Sequence, residues 1–127
     1  MKAPIVRALI LAVSTIGLVG LPLEASMPPL QITIDSGAPY FVPVSANVPS
    51  GTAIHWTNPT ASPHTITHMG CVDEEGRCMF DSGTILPDGQ FTVPGLPPGR
   101  YPYYCQLHPI MRGMLVVTDS QSGSSET

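Results

Sequence analysis

The residues best suited to chemistry lie close together near the carboxyl end of the chain. Cys105, His108 and Met111 follow one another with the spacing Cys-x2-His-x2-Met. A thiolate, two imidazoles and a distant thioether form the ligand set that holds copper in blue electron-transfer sites. Each residue alone has an ordinary explanation, as a buried thiol, a loop histidine or a core methionine. Their joint spacing predicts a soft metal site, with Met114 as a rival to Met111 for the thioether position.

A second imidazole must come from another part of the chain, which has four histidines. His64 opens a predicted strand directly after Pro63, whose ring stiffens the backbone. His55 alternates with Trp56 and is predicted to face solvent. His68 lies about 13 Å beyond His64 along a strand, too far for both to bind one ion at roughly 2 Å. We therefore interpret His64 as the ligand and His68 as a packed or surface residue, able to replace His64 only if the strand register differs.

The three cysteines of the chain have two different predicted roles. Cys71 and Cys78 bracket an acidic, glycine-containing segment and are well spaced for a local disulfide, which an oxidising compartment permits. Closing so short a loop stabilises a fold by about 2–3 kcal/mol in the chain-entropy view. Cys105 is left over, and an unpaired thiol in such a compartment is at risk of oxidation. A bound metal ion would protect it.

The first 25 residues have the composition of a signal peptide. Lys2 and Arg7 provide a positive start, and residues 8–21 form a mostly apolar run, shorter than the about 20 apolar residues that span a bilayer. The small residues Ala25 and Ser26 predict cleavage after Ala25, and an uncleaved amino-terminal anchor is the alternative. Three segments are therefore expected: a signal peptide at 1–25, one domain at 26–119 and a disordered polar tail at 120–127.

The charge balance after residue 25 excludes one large class of partner. This part of the chain has three arginines, eight acidic side chains and no lysine. Nucleic-acid-binding proteins need clustered Lys and Arg, so nucleic acid is not an expected partner. The surplus of negative charge instead favours a basic protein partner, which is attracted over a distance before it docks.

Glycines and prolines are spread along the chain and separate short runs of β-branched and aromatic residues. This pattern is typical of an all-β sandwich or barrel. About six or seven strands are predicted, the clearest at residues 31–34, 52–57, 64–68, 90–93, 100–105 and 114–118. Because no segment combines a sustained helical period with capping residues, little helix is expected.

These features together resemble the cupredoxins, most closely the small copper proteins of the amicyanin, pseudoazurin and plastocyanin type. The similarity covers about residues 30–118 and is carried by the segments 48–58, 63–67, 80–84, 89–91 and 104–117. It implies a Greek-key β-sandwich or barrel of about seven or eight strands. It also implies that Thr65 ties the His64 loop to the Cys105 loop by a hydrogen bond.

The resemblance further implies one type 1 copper ion with four ligands: His64, Cys105, His108 and Met111. The chain departs from the family at Leu107, where many members have Pro, and this change affects either loop rigidity or the hydrogen bonding of the Cys105 sulfur. The Cys71–Cys78 segment is also unusual for a cupredoxin, and it either shapes a partner surface or braces a loop.

We therefore expect a non-enzymatic carrier of single electrons that docks a redox protein, a cytochrome or a copper oxidoreductase, near His108. Leu107, Pro109 and Ile110 would surround that histidine with an apolar surface. The expected form is a monomer in the periplasm or the medium, with no membrane span once the signal peptide is removed. A copper enzyme is disfavoured because the sequence has no His-x-His pair and only one cysteine in the loop. Copper binding or delivery without electron transfer remains the alternative.

Overall fold

The computed structural model describes residues 17, 27–37 and 40–119. Its eight strands confirm the all-β prediction: β1 (Leu30–Ile34), β2 (Phe41–Val42), β3 (Ser45–Pro49), β4 (Ile54–Thr57), β5 (Thr67–His68), β6 (Gln90–Val93), β7 (Gly99–Tyr104) and β8 (Arg112–Thr118). A short 3-10 helix, Met69–Cys71, follows β5. Among the described residues, no helix has the length and apolar character needed to cross a membrane. The predicted signal peptide, apart from Gly17, and the predicted tail lie outside these residues and stay predictions.

The strands form two four-stranded sheets, in the orders β2-β1-β4-β6 and β3-β8-β7-β5. Each sheet contains one parallel pair, β1 with β4 and β3 with β8, and the other neighbours are antiparallel. Side chains from both sheets share one hydrophobic core. The predicted β-sandwich is therefore confirmed, and its strand number lies at the upper end of the range that the resemblance implies.

Alternation along the strands determines which side chains form the core. In β4, Ile54 and Trp56 are buried, whereas His55 and Thr57 are half-buried. Trp56 lies edge-on to Tyr103 of β7, with the two ring centroids 5.6 Å apart. Burial of one large apolar side chain contributes about 1.5–3 kcal/mol, so these rings are a main source of stability between the sheets.

Tyr103 of β7 is paired with Gly113 of the neighbouring strand β8 and restricts which residue can stand there. A side-chain carbon on Gly113 would collide with the Tyr103 ring, so only glycine leaves room for that ring. The ring packs against Phe41 at a centroid distance of 4.8 Å. Because Cys105 follows two residues after Tyr103, this contact fixes the end of β7 from which the predicted metal loop starts.

The strand predicted at residues 64–68 is only partly confirmed. Only Thr67–His68 form a strand, β5, which pairs with β7. All five residues of the segment are buried, so they do not alternate between core and solvent. The physical reason is that the other edge of this segment pairs with residues 80–85, through bridges at His64–Ile85 and Thr67–Asp81. The segment is therefore enclosed by chain on both edges.

Candidate metal centre

The loop between β7 and β8 carries the Cys105, His108 and Met111 side chains. Its two ends are joined by a hydrogen bond from the Cys105 N–H to the Met111 carbonyl, with N and O 3.1 Å apart. Two further backbone bonds run from the His108 N–H to the Cys105 carbonyl, at 3.3 Å, and from the Met111 N–H to the His108 carbonyl, at 2.8 Å. The loop is therefore closed and compact, and the positions of its three ligand candidates are fixed relative to one another.

A second loop, which starts after β4, positions His64. The Asn58 side chain donates to the carbonyls of Ser62 and Ile85, at 2.8 and 3.1 Å, so it holds the loop in shape. Its carbonyl oxygen accepts the Thr60 hydroxyl at 2.6 Å. Because the Thr60 hydrogen is directed to Asn58, the Thr60 oxygen accepts from Nε2–H of His64, 3.0 Å away. This assignment leaves Nδ1 of His64 with a free lone pair.

The two loops bring three candidate ligand atoms together. Nδ1 of His64 lies 3.8 Å from Sγ of Cys105, and Nδ1 of His108 lies 3.6 Å from the same sulfur. All three atoms lie within 4.8 Å of one another. Metal ions hold nitrogen and sulfur ligands at roughly 2.0–2.3 Å, so separations of this size fit ligands of a single ion. Within the described residues this is the only such group of three.

Burial favours the neutral form of the His64 imidazole. The pKa of His64 lies below its ordinary value, chiefly because burial disfavours the charged ring and secondly because His108 lies beside it. A neutral imidazole is the form that binds metal, so the surroundings of His64 favour the ligand state without a proton having to leave first.

The Cys105 sulfur is fully buried and receives one hydrogen bond from the backbone. The Thr65 N–H points at Sγ, with the nitrogen 3.3 Å from the sulfur. The Thr65 hydroxyl oxygen in turn accepts the Gln106 N–H at 2.8 Å. The expected link between the His64 loop and the Cys105 loop is thus confirmed. A backbone donor stabilises negative charge on a sulfur, so Thr65 suits a thiolate ligand.

The two rival methionines occupy different parts of the molecule. Met111 closes the ligand loop and is fully buried. Met114 lies on β8 opposite Pro102 and is only half-buried. It lines a separate, mainly apolar cavity of about 290 Å³ together with Val44 and Met69. Position in the fold therefore favours Met111 over Met114 as the thioether of the metal site.

The remaining two histidines lie outside the cluster. His55 is half-buried rather than fully solvent-facing, and its Nδ1 pairs with the Thr92 hydroxyl at 2.6 Å. His68 is buried, its Nδ1 accepts the Met79 N–H at 3.2 Å, and its ring packs on Phe80 at 5.3 Å. The packed role expected for His68 agrees with these contacts.

The predicted local disulfide is confirmed. Cys71 and Cys78 are bonded, with the sulfurs 2.06 Å apart, and they close the exposed acidic segment between them. Cys105 is the free cysteine among the described residues, as the odd number of cysteines requires. The three cysteines therefore divide as the sequence indicates, one pair for structure and one thiol at the candidate metal site.

The chain matches a known family over most of its length. A family model described as a cupredoxin-like domain covers residues 5–117. This chain is a member of the cupredoxin family. Membership of this family accounts for the two-sheet architecture. It also accounts for the position of His64, which comes from one loop and lies beside Cys105 and His108 of another.

Several relatives of this cupredoxin have known sequences or structures. Amicyanin of Paracoccus versutus is 28% identical over 79 residues, which cover 61% of this chain and 57% of the relative. Amicyanin-alpha of Methylorubrum extorquens is 34% identical over 71 residues, covering 55% and 57%. The chain thus spans less than three fifths of the length of these curated relatives. The solved structure of a novel purple cupredoxin from Nitrosopumilus maritimus is 30% identical with a TM-score of 0.60, covering 70% of this chain and 99% of that one.

Copper is the cofactor of this cupredoxin. Membership of the family and the chemistry of the cluster agree, because a thiolate stabilises Cu(I) while imidazoles serve both oxidation states. The donor set also fits the fold, since nitrogen and sulfur atoms from two separately anchored loops converge on one buried point.

The surface around His108 is apolar and open. His108 itself is half-buried, whereas Leu107 and Ile110 are 49% and 79% exposed and Pro109 is also exposed. This set is the apolar surface that the sequence predicts beside the histidine. His108 also lines a shallow groove of about 250 Å³, whose other lining residues include His64 and the acidic Asp35.

Proposed function

We propose that this cupredoxin carries single electrons between redox proteins, and that His64, Cys105, His108 and Met111 are the four copper ligands. The observation that carries the proposal is the convergence of Nδ1 of His64, Sγ of Cys105 and Nδ1 of His108 within 4.8 Å. Bound copper supplies the one-electron Cu(I)/Cu(II) couple. Met111 would supply a thioether ligand, which its burial at the end of the ligand loop supports.

The protein's contribution is to keep the ligands in place while the charge at the site changes. Thr60 holds the outer nitrogen of His64, and Thr65 binds both the Cys105 sulfur and the Gln106 N–H. Ligands that are tied by hydrogen bonds on the side away from the ion move little between the two oxidation states. Small movement is the main requirement for rapid transfer of one electron.

Electrons enter and leave at the His108 ring. This ring is the ligand side chain that reaches the surface, and the apolar residues Leu107, Pro109 and Ile110 beside it suit brief docking. The partner we propose is a basic redox protein, a cytochrome or a copper oxidoreductase. The excess of acidic side chains in the domain would attract it electrostatically, and Asp35 lies close to the docking surface.

Burial of the ligands supports a carrier over a copper-delivery protein. Cys105 and Met111 are fully buried, and His64 is 5% exposed. An acceptor protein that takes copper by ligand exchange must reach the ligands, and here it could reach only His108. Four ligands supplied by the chain also leave no open position for a substrate, which supports a non-enzymatic role.

We further propose that the protein works outside the cytoplasm as a monomer, after removal of residues 1–25. The Cys71–Cys78 disulfide supports this location, because such bonds form and persist in oxidising compartments. The periplasm or the medium would be such a compartment. Purification of the full-length gene product from the periplasm, followed by amino-terminal sequencing and light scattering, tests the cleavage site and the monomer together.

Copper loading tests the central proposal. The exported protein should take up one copper ion per chain and develop an intense visible band from thiolate-to-copper charge transfer, with reversible one-electron voltammetry. Cys105→Ser should abolish the band, because it removes the thiolate. The matched control is the double variant Cys71→Ser with Cys78→Ser, which loses the other two sulfurs and should keep the band. A band that survives Cys105→Ser, or copper that binds without any such band, would contradict the proposal.

A further inference from the structure

An unbroken series of hydrogen bonds joins an exposed carboxylate to the copper loop. The Gln106 N–H contacts the Thr65 hydroxyl oxygen at 2.8 Å, and this oxygen lies 3.0 Å from the Thr67 hydroxyl oxygen. The Thr67 hydroxyl lies 3.1 Å from Oδ1 of Asp81. We refer to these four residues, Gln106, Thr65, Thr67 and Asp81, as the relay.

The direction of every bond in the relay is fixed by chemistry. A carboxylate can only accept, so the Thr67 hydroxyl must donate to Asp81. The Thr67 oxygen then accepts from Thr65, because each hydroxyl has a single hydrogen to donate. The Thr65 oxygen is thereby left to accept the Gln106 N–H. All donors point towards Asp81, and all negative ends of the hydroxyl dipoles point towards the copper loop.

The middle of the relay lies where a broken bond is costly. Thr65 is 3% exposed and Thr67 is fully buried, so water does not replace a lost partner at either hydroxyl. The backbone holds the same residues in register, since Thr67 pairs with Tyr104 on β7 and forms a bridge with Asp81 on the other side. The Gly83 N–H also donates to Oδ1 of Asp81, which fixes the carboxylate at the end of the series.

We propose that Thr67 and Asp81 are positioning residues for the Cys105 ligand, acting through Thr65 and Gln106. This inference rests on the proposed function, because it assigns these residues to the copper site. Gln106 directly follows Cys105, and Thr65 also donates its N–H to the Cys105 sulfur. The relay thus holds the ligand from two directions, and its aligned dipoles carry the negative character of Asp81 into the molecule, where it favours Cu(II) over Cu(I).

Thr67→Val is the decisive variant, because valine keeps the shape of threonine and removes the hydroxyl. In the Cu(I) protein we expect the Gln106 amide hydrogen to exchange roughly threefold to tenfold faster, since Thr65 loses the acceptor that orients it. The reduction potential should rise, because the affinity for Cu(II) relative to that for Cu(I) should fall by roughly twofold to threefold. Thr67→Ser restores the hydroxyl and should restore both values.

Asp81→Ala provides a second route if Thr67→Val does not fold, because it removes the terminal acceptor from an exposed position. It should also speed exchange at Gln106. Asp119→Ala is its matched control, since it removes one exposed carboxylate of the same charge just after β8, outside both the relay and the docking surface. Thr52→Val is the control for loss of a buried threonine hydroxyl elsewhere, and it should leave the reduction potential unchanged.

The outcomes separate this inference from the function on which it rests. If the wild-type protein develops no charge-transfer band, the proposed function is wrong. If it does, and Thr67→Val or Asp81→Ala leaves both Gln106 exchange and the potential at wild-type values, the relay is wrong while the function stands. Faster exchange in Asp119→Ala as well would also overturn the relay, because the effect would then not depend on Asp81.

Discussion

The two histidines that we propose as copper ligands lie in very different surroundings. His64 is 5% exposed, comes from a loop braced by Asn58, and its outer nitrogen is bonded to Thr60. His108 is half-buried and lies beside the exposed side chains of Leu107 and Ile110. Under the proposed function, His64 would fix the geometry of the site, and His108 would connect it to solvent and to the partner. The comparison shows that two imidazoles of one site can differ widely in how much of each ring solvent reaches.

The strongest way to break this contrast is to delete each ring in turn and offer a replacement. His64→Gly and His108→Gly should each weaken copper binding by more than about 100-fold, because residues that merely support ligands already contribute 10–100-fold. Added imidazole should restore the visible band in His108→Gly, where the lost ring opens towards solvent, and fail to do so in His64→Gly. The rescue is measured by titrating each variant with imidazole and recording the visible band. Equal rescue of both variants would show that the two positions are equally accessible.

The next test removes the support of the buried ring. Thr60→Val should lower Cu(II) affinity by about 10-fold, since Nε2 of His64 loses the partner that orients the ring. A competition titration against a chelator measures this effect, and Thr60→Ser should recover most of it. Thr92→Val is a matched control, because it breaks the similar histidine–threonine bond at His55, away from the site. An unchanged affinity in Thr60→Val would show that the bond between Thr60 and His64 does not contribute to metal binding.

The exposed side of the contrast concerns the partner rather than the metal. Ile110→Lys places a positive charge on the apolar surface beside His108 and should slow electron exchange with a basic cytochrome by roughly fivefold, because it disrupts the apolar contact and repels the partner, while the reduction potential changes little. Stopped-flow kinetics over a range of salt concentrations checks this result. Val72→Lys, on the disulfide segment, adds the same charge at another exposed apolar residue and should slow the reaction much less. An equal loss of rate in both variants would show that the partner does not dock beside His108.

A smaller effect extends the comparison to a buried histidine outside the site. Burial is the main cause that lowers the pKa of both His64 and His68. The folded, copper-free protein therefore binds fewer protons than the unfolded chain, whose histidines titrate near pH 6.5. The contribution of these two histidines to the free energy of unfolding should be greatest above about pH 6.5. It should decrease as the pH falls below that value, by at most about 1.4 kcal/mol per pH unit for each histidine. His68→Gln should reduce this slope in urea titrations, and an unchanged slope would contradict the assignment.

Much of the copper site can be predicted from the sequence because its ligands are close together in the chain. Cys105 and His108 come from one loop, so their spacing carries the chemistry directly. The odd number of cysteines separates Cys105 from the Cys71–Cys78 pair without any structure. His64 is reached by elimination among few histidines, and its packing against the loop confirms that it lies at the cluster.

The parts that the sequence does not predict depend on contacts between distant segments. Strand β2 is missed because its two residues are too few to show a pattern. Strand β3 does alternate, with Ala46 and Val48 turned towards the core, but Asn47 and Pro49 are residues that strands disfavour and they conceal it. The bond between Thr60 and His64 needs a loop shape that Asn58 imposes, although an Asn-x-Thr turn four residues before a histidine is a usable signal. Pairing of Thr67 with Asp81 depends on how the segments 64–68 and 80–85 meet, which no local pattern specifies.

The contact between Gly113 and the Tyr103 ring has a consequence for how such a protein can change over evolutionary time. Every substitution at Gly113 adds a carbon that the ring cannot accommodate, so this position tolerates no variation while Tyr103 stays in place. A few residues away, the side chains of Leu107 and Ile110 face solvent, so substitutions there do not require the core to repack. Substitutions are thus tolerated more easily at the surface that we propose docks the partner than at the packed contact behind it. Under that proposal, a change at these few exposed positions could alter the choice of partner and leave the metal site as it is.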